Sequence, residues 1–372
     1  MTKNVLISGA SVAGPALAYW LRRRGFEVTV VERAPALRTG GQAIDVRGVA
    51  LDVLDRMGLL ERARELRTTM RGMQMLDGQG NEVMRSTEMA LSSGRFDSGD
   101  IELLREDLTS LLYELTRDDV EYVFGDTITG IDGTEVTFEN GPPRRFDVVV
   151  GADGLHSGVR ALAFGPESQF LRHLGTYLAV FSTENFLGLD NWQVWLHGEE
   201  AGYAVYPVRD NSELRVTLGV HADSLPHDRR DNDAHRRMLA AKLDGLGWET
   251  PKLVEAMWEA EDFYFDAMAQ IHMDTWSSGR VTLVGDAGYC ASPLSGQGTS
   301  LALVGAYVLA EELERADGQH AEGFAAYEAR MRPFARLNQA LATENPGQPA
   351  SEESLERAKT AISLDSQEKV SR

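Results

Sequence analysis

The chain has 372 residues, 43% hydrophobic and 25% charged, which excludes a disordered or fibrous protein and leaves room for about two domains with a sizeable core. Its formal net charge of -20 repels phosphate backbones and anionic headgroups, so neither nucleic acid nor a charged membrane surface is expected as a partner. The single cysteine, Cys290, excludes an internal disulfide; without zinc-like spacing, a leader-like start or a long apolar run, a cytoplasmic protein with no metal and no membrane span is expected.

In chain order, a short apolar run at 4–8 leads through small residues into helical apolar spacing at 13–24, then into a strand pattern at 27–32. This is a βαβ opening of about 30 residues. The pairs Asp77-Gly78 and Asp132-Gly133 predict hairpin turns. A continuous apolar run at 146–150 ends in Gly-Ala-Asp-Gly and another at 281–284 ends in Gly-Asp-Ala, the pattern of buried parallel strands. Between them, short β-rich runs at 177–182, 193–197, 203–207 and 214–220, rich in aromatic residues, predict a second sheet inserted between two halves of the first layer. A helix follows at about 298–313. Asn345-Pro346-Gly347-Gln348-Pro349 should break the last long helix, and beyond it Leu355, Ala358 and Ile362 suggest at most a turn or two within a frayed tail.

The segment Gly9-Ala10-Ser11-Val12-Ala13-Gly14 joins the first strand to the first helix, where a dinucleotide fingerprint belongs. Ser11 stands where the usual middle glycine admits the pyrophosphate. Glu32 closes the second strand, in place to accept hydrogen bonds from ribose hydroxyls. Alone, this also fits a turn with no ligand. Asp286, at a strand's carboxyl end, can accept hydrogen bonds from a sugar-alcohol chain, which FAD has as ribitol and NAD lacks. Gly296-Gln297-Gly298 open a helix whose N–H groups and dipole can stabilise negative charge on a reduced flavin; a cap and turn is the plainer alternative.

Two segments, Asp153-Gly154-Leu155-His156-Ser157-Gly158-Val159-Arg160 and Gly285-Asp286-Ala287 continuing to Pro293 and Gly296-Gln297-Gly298, resemble the class A flavoprotein monooxygenases. With Arg105-Glu106-Asp107-Leu108 and the N-terminal unit, the resemblance reaches about residue 340. Gly40-Gly41-Gln42-Ala43-Ile44-Asp45 and Arg95-Phe96-Asp97 are similar to the tetracycline-inactivating members. The resemblance implies an α/β fold: a Rossmann-like, glutathione-reductase-type FAD-binding domain (1–70, 98–170 and 270–318) interleaved with a β-sheet substrate domain (71–97 and 171–269), then a C-terminal helix (319–344) and a polar tail (345–372). It implies noncovalent FAD, held by Gly9, Ser11, Ala13, Gly14, Glu32, Arg33, Arg38, Gly41, Arg47, Arg105, Asp153, Arg160, Asp286, Pro293, Gly296, Gln297 and Gly298. For Asp153 and Arg160 a helix cap and an exposed basic residue are the alternatives. The chain departs from the family at Gly288-Tyr289, where histidine is usual, at Ser300 in place of asparagine, and at Gly305 in place of aspartate.

By the same resemblance, NADPH or NADH binds transiently and reduces FAD. O2 then adds at the flavin C4a, and the hydroperoxide hydroxylates a small aromatic or polyketide-like substrate in a closed, largely apolar pocket. Trp192, Trp195, Tyr203, Tyr206 and Phe181 are candidate walls, about half of which should face elsewhere by strand alternation. Gln193, His197 and Arg215 are candidates for orienting polar substrate groups, with His197 the one histidine considered as a base. The alternatives are an FAD-dependent reductase or dehydrogenase, a non-redox cyclase or ligand-binding protein that keeps FAD structurally, and a plain NAD-binding protein.

Overall fold

A computed structural model describes residues 3–91, 94–222, 231–317, 319–345 and 349–365. Its central sheet has six strands in the order Ser277–Ser278, Val281–Leu283, Val148–Gly151, Asn4–Ser8, Glu27–Glu32, Glu121–Phe124, parallel throughout except for the short outermost pair. Val5, Leu6 and Ile7 are all fully buried. They lie in a sheet covered on both faces, which is why the strand is a continuous apolar run rather than an alternating one. The helices Ala13–Arg23, Arg105–Thr116 and Gly298–Arg315 pack together on this layer. Ile128, Val136 and Phe146, from an antiparallel meander and the turn after it, enter the same core.

Asn4–Ser8 lies between Val148–Gly151 and Glu27–Glu32, so the strand order reverses direction beside it. Such a switch point opens a crevice at the strands' carboxyl ends. Register sets the ends level, with Ser8 opposite both Gly151 and Val31. The turns after three strands therefore meet there, although they come from the start, middle and end of the chain.

The second sheet has seven strands, in the order Tyr264–Ile271, Leu171–Glu184, Glu213–His221, Ala201–Val208, Trp192–His197, Gly72–Asp77, Glu82–Ser86. All neighbours are antiparallel except Trp192–His197 beside Gly72–Asp77. Leu239, Leu243, Leu253 and Met257, from the helices Asn232–Leu243 and Thr250–Glu259, cover one face together with Val194, Val205, Val216 and Leu218. Alternation sends Gln193, Trp195, Ala204, Tyr206, Arg215 and Thr217 to the opposite face, where Tyr206 and Val208 pack against Leu104, Ala43 and Met70 of the first layer.

The Asp77-Gly78 hairpin forms with a longer loop, in which Asp77 N–H donates to the Asn81 carbonyl. The Asp132-Gly133 hairpin forms as a tight turn with Asp132 opposite Glu135. The frayed tail is corrected over its described part. Glu352–Lys359 is helical, Ser351 caps it, Lys359 donates to Asp100 Oδ2 at 3.0 Å, and Leu364 is buried in the main core. A sparse apolar pattern suffices here because Asp100 and the core receive the segment. Pro346, Gly347 and Gln348, read as helix-breaking, lie outside the described residues.

Candidate functional site

At the switch point Gly9 has φ +107°, and a Cβ on it would lie 2.5 Å from the Ala152 carbonyl oxygen. A Cβ on Gly14 would lie 1.9 Å from the Gly9 carbonyl oxygen, so only glycine lets the first helix sit this close to its turn. Ala13 is close to Gly285 of the third turn, its Cβ 3.3 Å from where a Gly285 Cβ would be. Ser11, Glu32, Arg38 and Arg105 line a cleft with Ala10, Leu37 and Thr109. The Glu32 carboxylate accepts from Ala10 N–H at 2.8 Å and Ala34 N–H at 2.9 Å. Since a carboxylate offers about four lone-pair sites, two diol hydroxyls still have acceptors. Arg33, the residue after it, is exposed.

The loop carrying Gly40 and Gly41 joins the two layers. Arg105 donates to the Gly40 carbonyl at 2.7 Å, Gly40 N–H donates to Glu106 Oε2 at 2.6 Å, and Arg215 Nε donates to the Gly41 carbonyl at 3.0 Å. Arg215 also pairs with Glu213 and Glu106 and reaches the Ser182 hydroxyl, so its buried guanidinium is committed to this joint. Gln193, fully buried, accepts from Trp195 Nε1 at 2.6 Å. His197 ends its strand with an exposed side chain. Of the five aromatic candidates, Trp195 and Tyr206 face the first layer; Phe181, Tyr203 and Trp192 pack on the helix-covered side.

Asp153 and Arg160 do not line the cleft as a pair of open charges. Asp153 accepts from Val159 N–H at 3.1 Å and from the Ser157 hydroxyl, tightening the start of helix Gly158–Phe164, and burial pushes its carboxyl up. Arg160 is fully buried and donates to the carbonyls of Ala287 at 3.0 Å and Leu155 at 2.7 Å and to Glu167 at 2.9 Å. The exposed alternative for Arg160 is therefore overturned: it clamps the turn after Asp286 to the turn after Asp153.

After the third strand Asp286 is solvent-accessible, yet surrounding protein desolvates it and pushes its carboxyl up, as expected for a group lining a recess. Pro293, seven residues further on, is exposed. Gln297, next to Gly298 at the helix start, is fully buried, and neither amide atom has a hydrogen-bond partner among the described residues. A buried amide with no partner is costly unless a ligand completes it. A Cβ on Gly296 would lie 3.6 Å from the Arg47 guanidinium and 3.7 Å from Asp45 Oδ2. Arg47 pairs with Asp45 at 3.0 Å, and its N–H donates to the Ser300 hydroxyl at 3.0 Å. Burial, partly opposed by Arg47 and reinforced by Glu102 and Asp100, pushes Asp45 up to about 7.

An acidic acceptor and two arginines at the cleft, a desolvated second carboxylate after the third strand and an incomplete helix start form a donor set that suits FAD. Sequence reasoning left out Asp45, quoted within a motif but given no role, and Tyr264, whose neighbourhood carries no motif. Tyr264 is 42% exposed and donates to Asp266 Oδ2 at 2.7 Å. Asp266 and Glu167 bracket His156 at 2.9 Å each. Burial would lower that imidazole's pKa, but the two hydrogen-bonded carboxylates prevail and hold it at about 9.

Comparison with known proteins gives a matching answer. A family model described as an FAD binding domain matches residues 2–342. An uncharacterized protein of Mycobacterium tuberculosis is 52% identical over 97% of this chain and 99% of its own length. A flavin-dependent monooxygenase of Legionella longbeachae is 38% identical, covering 91% of this chain and 88% of its own. Among solved structures, tetracycline destructase Tet(55) superposes with a TM-score of 0.87 at 35% identity, covering 98% of this chain and 99% of that one.

Proposed function

The chain belongs to the FAD-binding domain family, among the flavin-dependent monooxygenases, and from that premise we propose that it uses NADPH or NADH and O2 to hydroxylate a small aromatic or polyketide-like molecule. The observation that carries this reading is the Gly40-Gly41 loop beside the Glu32–Arg105 cleft, whose carbonyls are held by Arg105 of the first layer and by Arg215 on the face of the second sheet turned away from its helices. In this reading 1–70, 98–170 and 270–318 hold the cofactor, 71–97 and 171–269 the substrate, and 319–344 the supporting helix. Among the described residues no helix is long and apolar enough to cross a membrane; with a lone buried thiol, this supports a cytoplasmic setting.

FAD, when bound, accepts hydride and activates oxygen; the chain's residues bind, orient and exclude water. Glu32 would take the ribose hydroxyls, Arg38 and Arg105 the pyrophosphate, and Asp286 the ribitol. Gln297 and the N–H groups opening helix Gly298–Arg315 would meet the flavin's pyrimidine edge, with Arg47 alongside. The first-layer side of the second sheet supplies Trp195, while Tyr206 is buried against Leu104 and accepts from Ala43 N–H, and the polar groups Gln193 and Arg215 are already bonded within the protein. A substrate held there by apolar and aromatic contact therefore displaces no internal hydrogen bond. Because Tet(55) and Tet(51) are tetracycline destructases, polycyclic polyketides are the first ligands to try.

The test is a panel of phenols and polyketides screened for stimulation of NAD(P)H oxidation by the purified protein, with mass spectrometry of the products. A product heavier by one oxygen atom supports the reading. Ligand-stimulated turnover that proceeds equally without oxygen would replace it with a reductase.

A further inference from the structure

Two of the chain's departures from the family pattern meet in space. Tyr289 ends the short helix Asp286–Tyr289 and is 1% exposed, and Gly305 lies within helix Gly298–Arg315. A Cβ on Gly305 would lie 2.0 Å from the Tyr289 hydroxyl oxygen and 3.2 Å from Cζ, so no other residue at 305 leaves room for this phenol in its present place. The hydroxyl lies 2.9 Å from that of Tyr327, on helix His320–Leu341, and the Tyr327 hydroxyl lies 3.0 Å from the Leu283 carbonyl oxygen. The Tyr327 hydroxyl is the donor of this group, with the Tyr289 hydroxyl and the Leu283 carbonyl as the two acceptors within its reach.

Trp276 backs both rings, 4.5 Å from Tyr289 and 5.9 Å from Tyr327 between centroids. Gln339, further along the same C-terminal helix, donates to the carbonyls of Ile271 at 2.8 Å and Cys290 at 3.2 Å. That helix thus holds the segment carrying Asp286 from both sides, through Leu283 before it and Tyr289 and Cys290 after it.

We infer that Tyr289 is a positioning residue for FAD: its phenol, seated in the gap at Gly305 and bonded to Tyr327, sets where the Asp286 turn stands in the crevice. This rests on the reading of Asp286 as a cofactor ligand. Gly305 and Tyr289 then act as one unit, and the C-terminal helix governs cofactor affinity without lining the crevice.

The experiment measures the FAD dissociation constant by flavin fluorescence, the visible spectrum of bound flavin and the melting temperature of each apoprotein, for wild type, Y289F, G305A and the double variant. Y289F removes one oxygen and no ring volume; losing one neutral hydrogen bond should weaken FAD about two- to tenfold and shift the bound spectrum. G305A should weaken FAD by more, about tenfold or beyond, because the phenol must move and take the turn with it. The double variant should bind better than G305A alone, since the 2.0 Å conflict leaves with the oxygen. Unchanged affinity and spectrum in Y289F, or additive losses in the double variant, would overturn the inference, even with lowered melting temperatures. Should G305A fail to fold, Y289F decides alone. Failure of wild type to bind FAD at all would remove the cofactor reading itself.

Discussion

Arg160 is the position at which a cofactor contact and a structural clamp predict different results. Its guanidinium, fully buried, makes three hydrogen bonds of 2.7 to 3.0 Å, to Ala287, Leu155 and Glu167. Each hydrogen bond to a charged group is worth about 1.5–3 kcal/mol, and breaking a buried ion pair costs about 3–5 kcal/mol. Because the contacts share one group they do not add, and Glu167 keeps His156 after Arg160 is removed. The expected loss for Arg160→Ala is therefore about 5 kcal/mol, a large part of the roughly 5–15 kcal/mol by which a folded protein is stable. Lysine keeps the charge but not the fork that reaches three acceptors, so Arg160→Lys should recover only part of the loss. Urea unfolding of the apoproteins followed by circular dichroism measures this, with FAD affinity determined in parallel. Both variants should lose stability and, through the displaced Ala287 carbonyl, affinity as well. Apoprotein stability equal to wild type alongside a large fall in FAD affinity would refute the clamp and make Arg160 a direct ligand.

Asp286→Ala should weaken FAD about 10- to 100-fold, the equivalent of a charged hydrogen-bond acceptor, in a protein that still folds, as fluorescence titration would show. Asp45, whose carboxyl is pushed up to about 7 from an ordinary 3.8, contributes stability that is complete below 3.8 and lost as pH rises through 7. Asp45→Asn, which does not titrate, should therefore gain melting temperature relative to wild type as pH increases from 4 to 8; a pH-independent difference would contradict this. His156, held up at about 9, contributes stability present below 6.5 and lost as pH rises through 9, so His156→Asn should flatten the loss on that alkaline limb of a melting-temperature profile. His197→Ala should leave FAD affinity and ligand-stimulated turnover unchanged, because its side chain is exposed at a strand end; loss of turnover would return His197 to the chemistry.

What the sequence determined by itself is local. The βαβ opening, the apolar strand runs, the β-rich middle block and the glycine turns follow from periodicity and from backbone demands at single positions, such as the close approach that Gly14 alone permits. Their order along the chain, read against a family pattern, was enough to bring Gly9, Glu32, Asp286 and Gln297 forward as parts of one cofactor site. The tertiary structure decided what each polar group is free to do. Arg160 and Arg215 read as available cations, but their carbonyl and carboxylate partners come from elements far away in the chain and occupy them. Alternation predicted that about half of the aromatic candidates would face away, and only sheet pairing and the covering helices determined that Trp195 and Tyr206 are the ones facing the first layer. The desolvation of Asp45, the place of Tyr264 and the fit of Tyr289 against Gly305 carried no local signal, because burial, field and free volume belong to the packed assembly and not to any stretch of sequence.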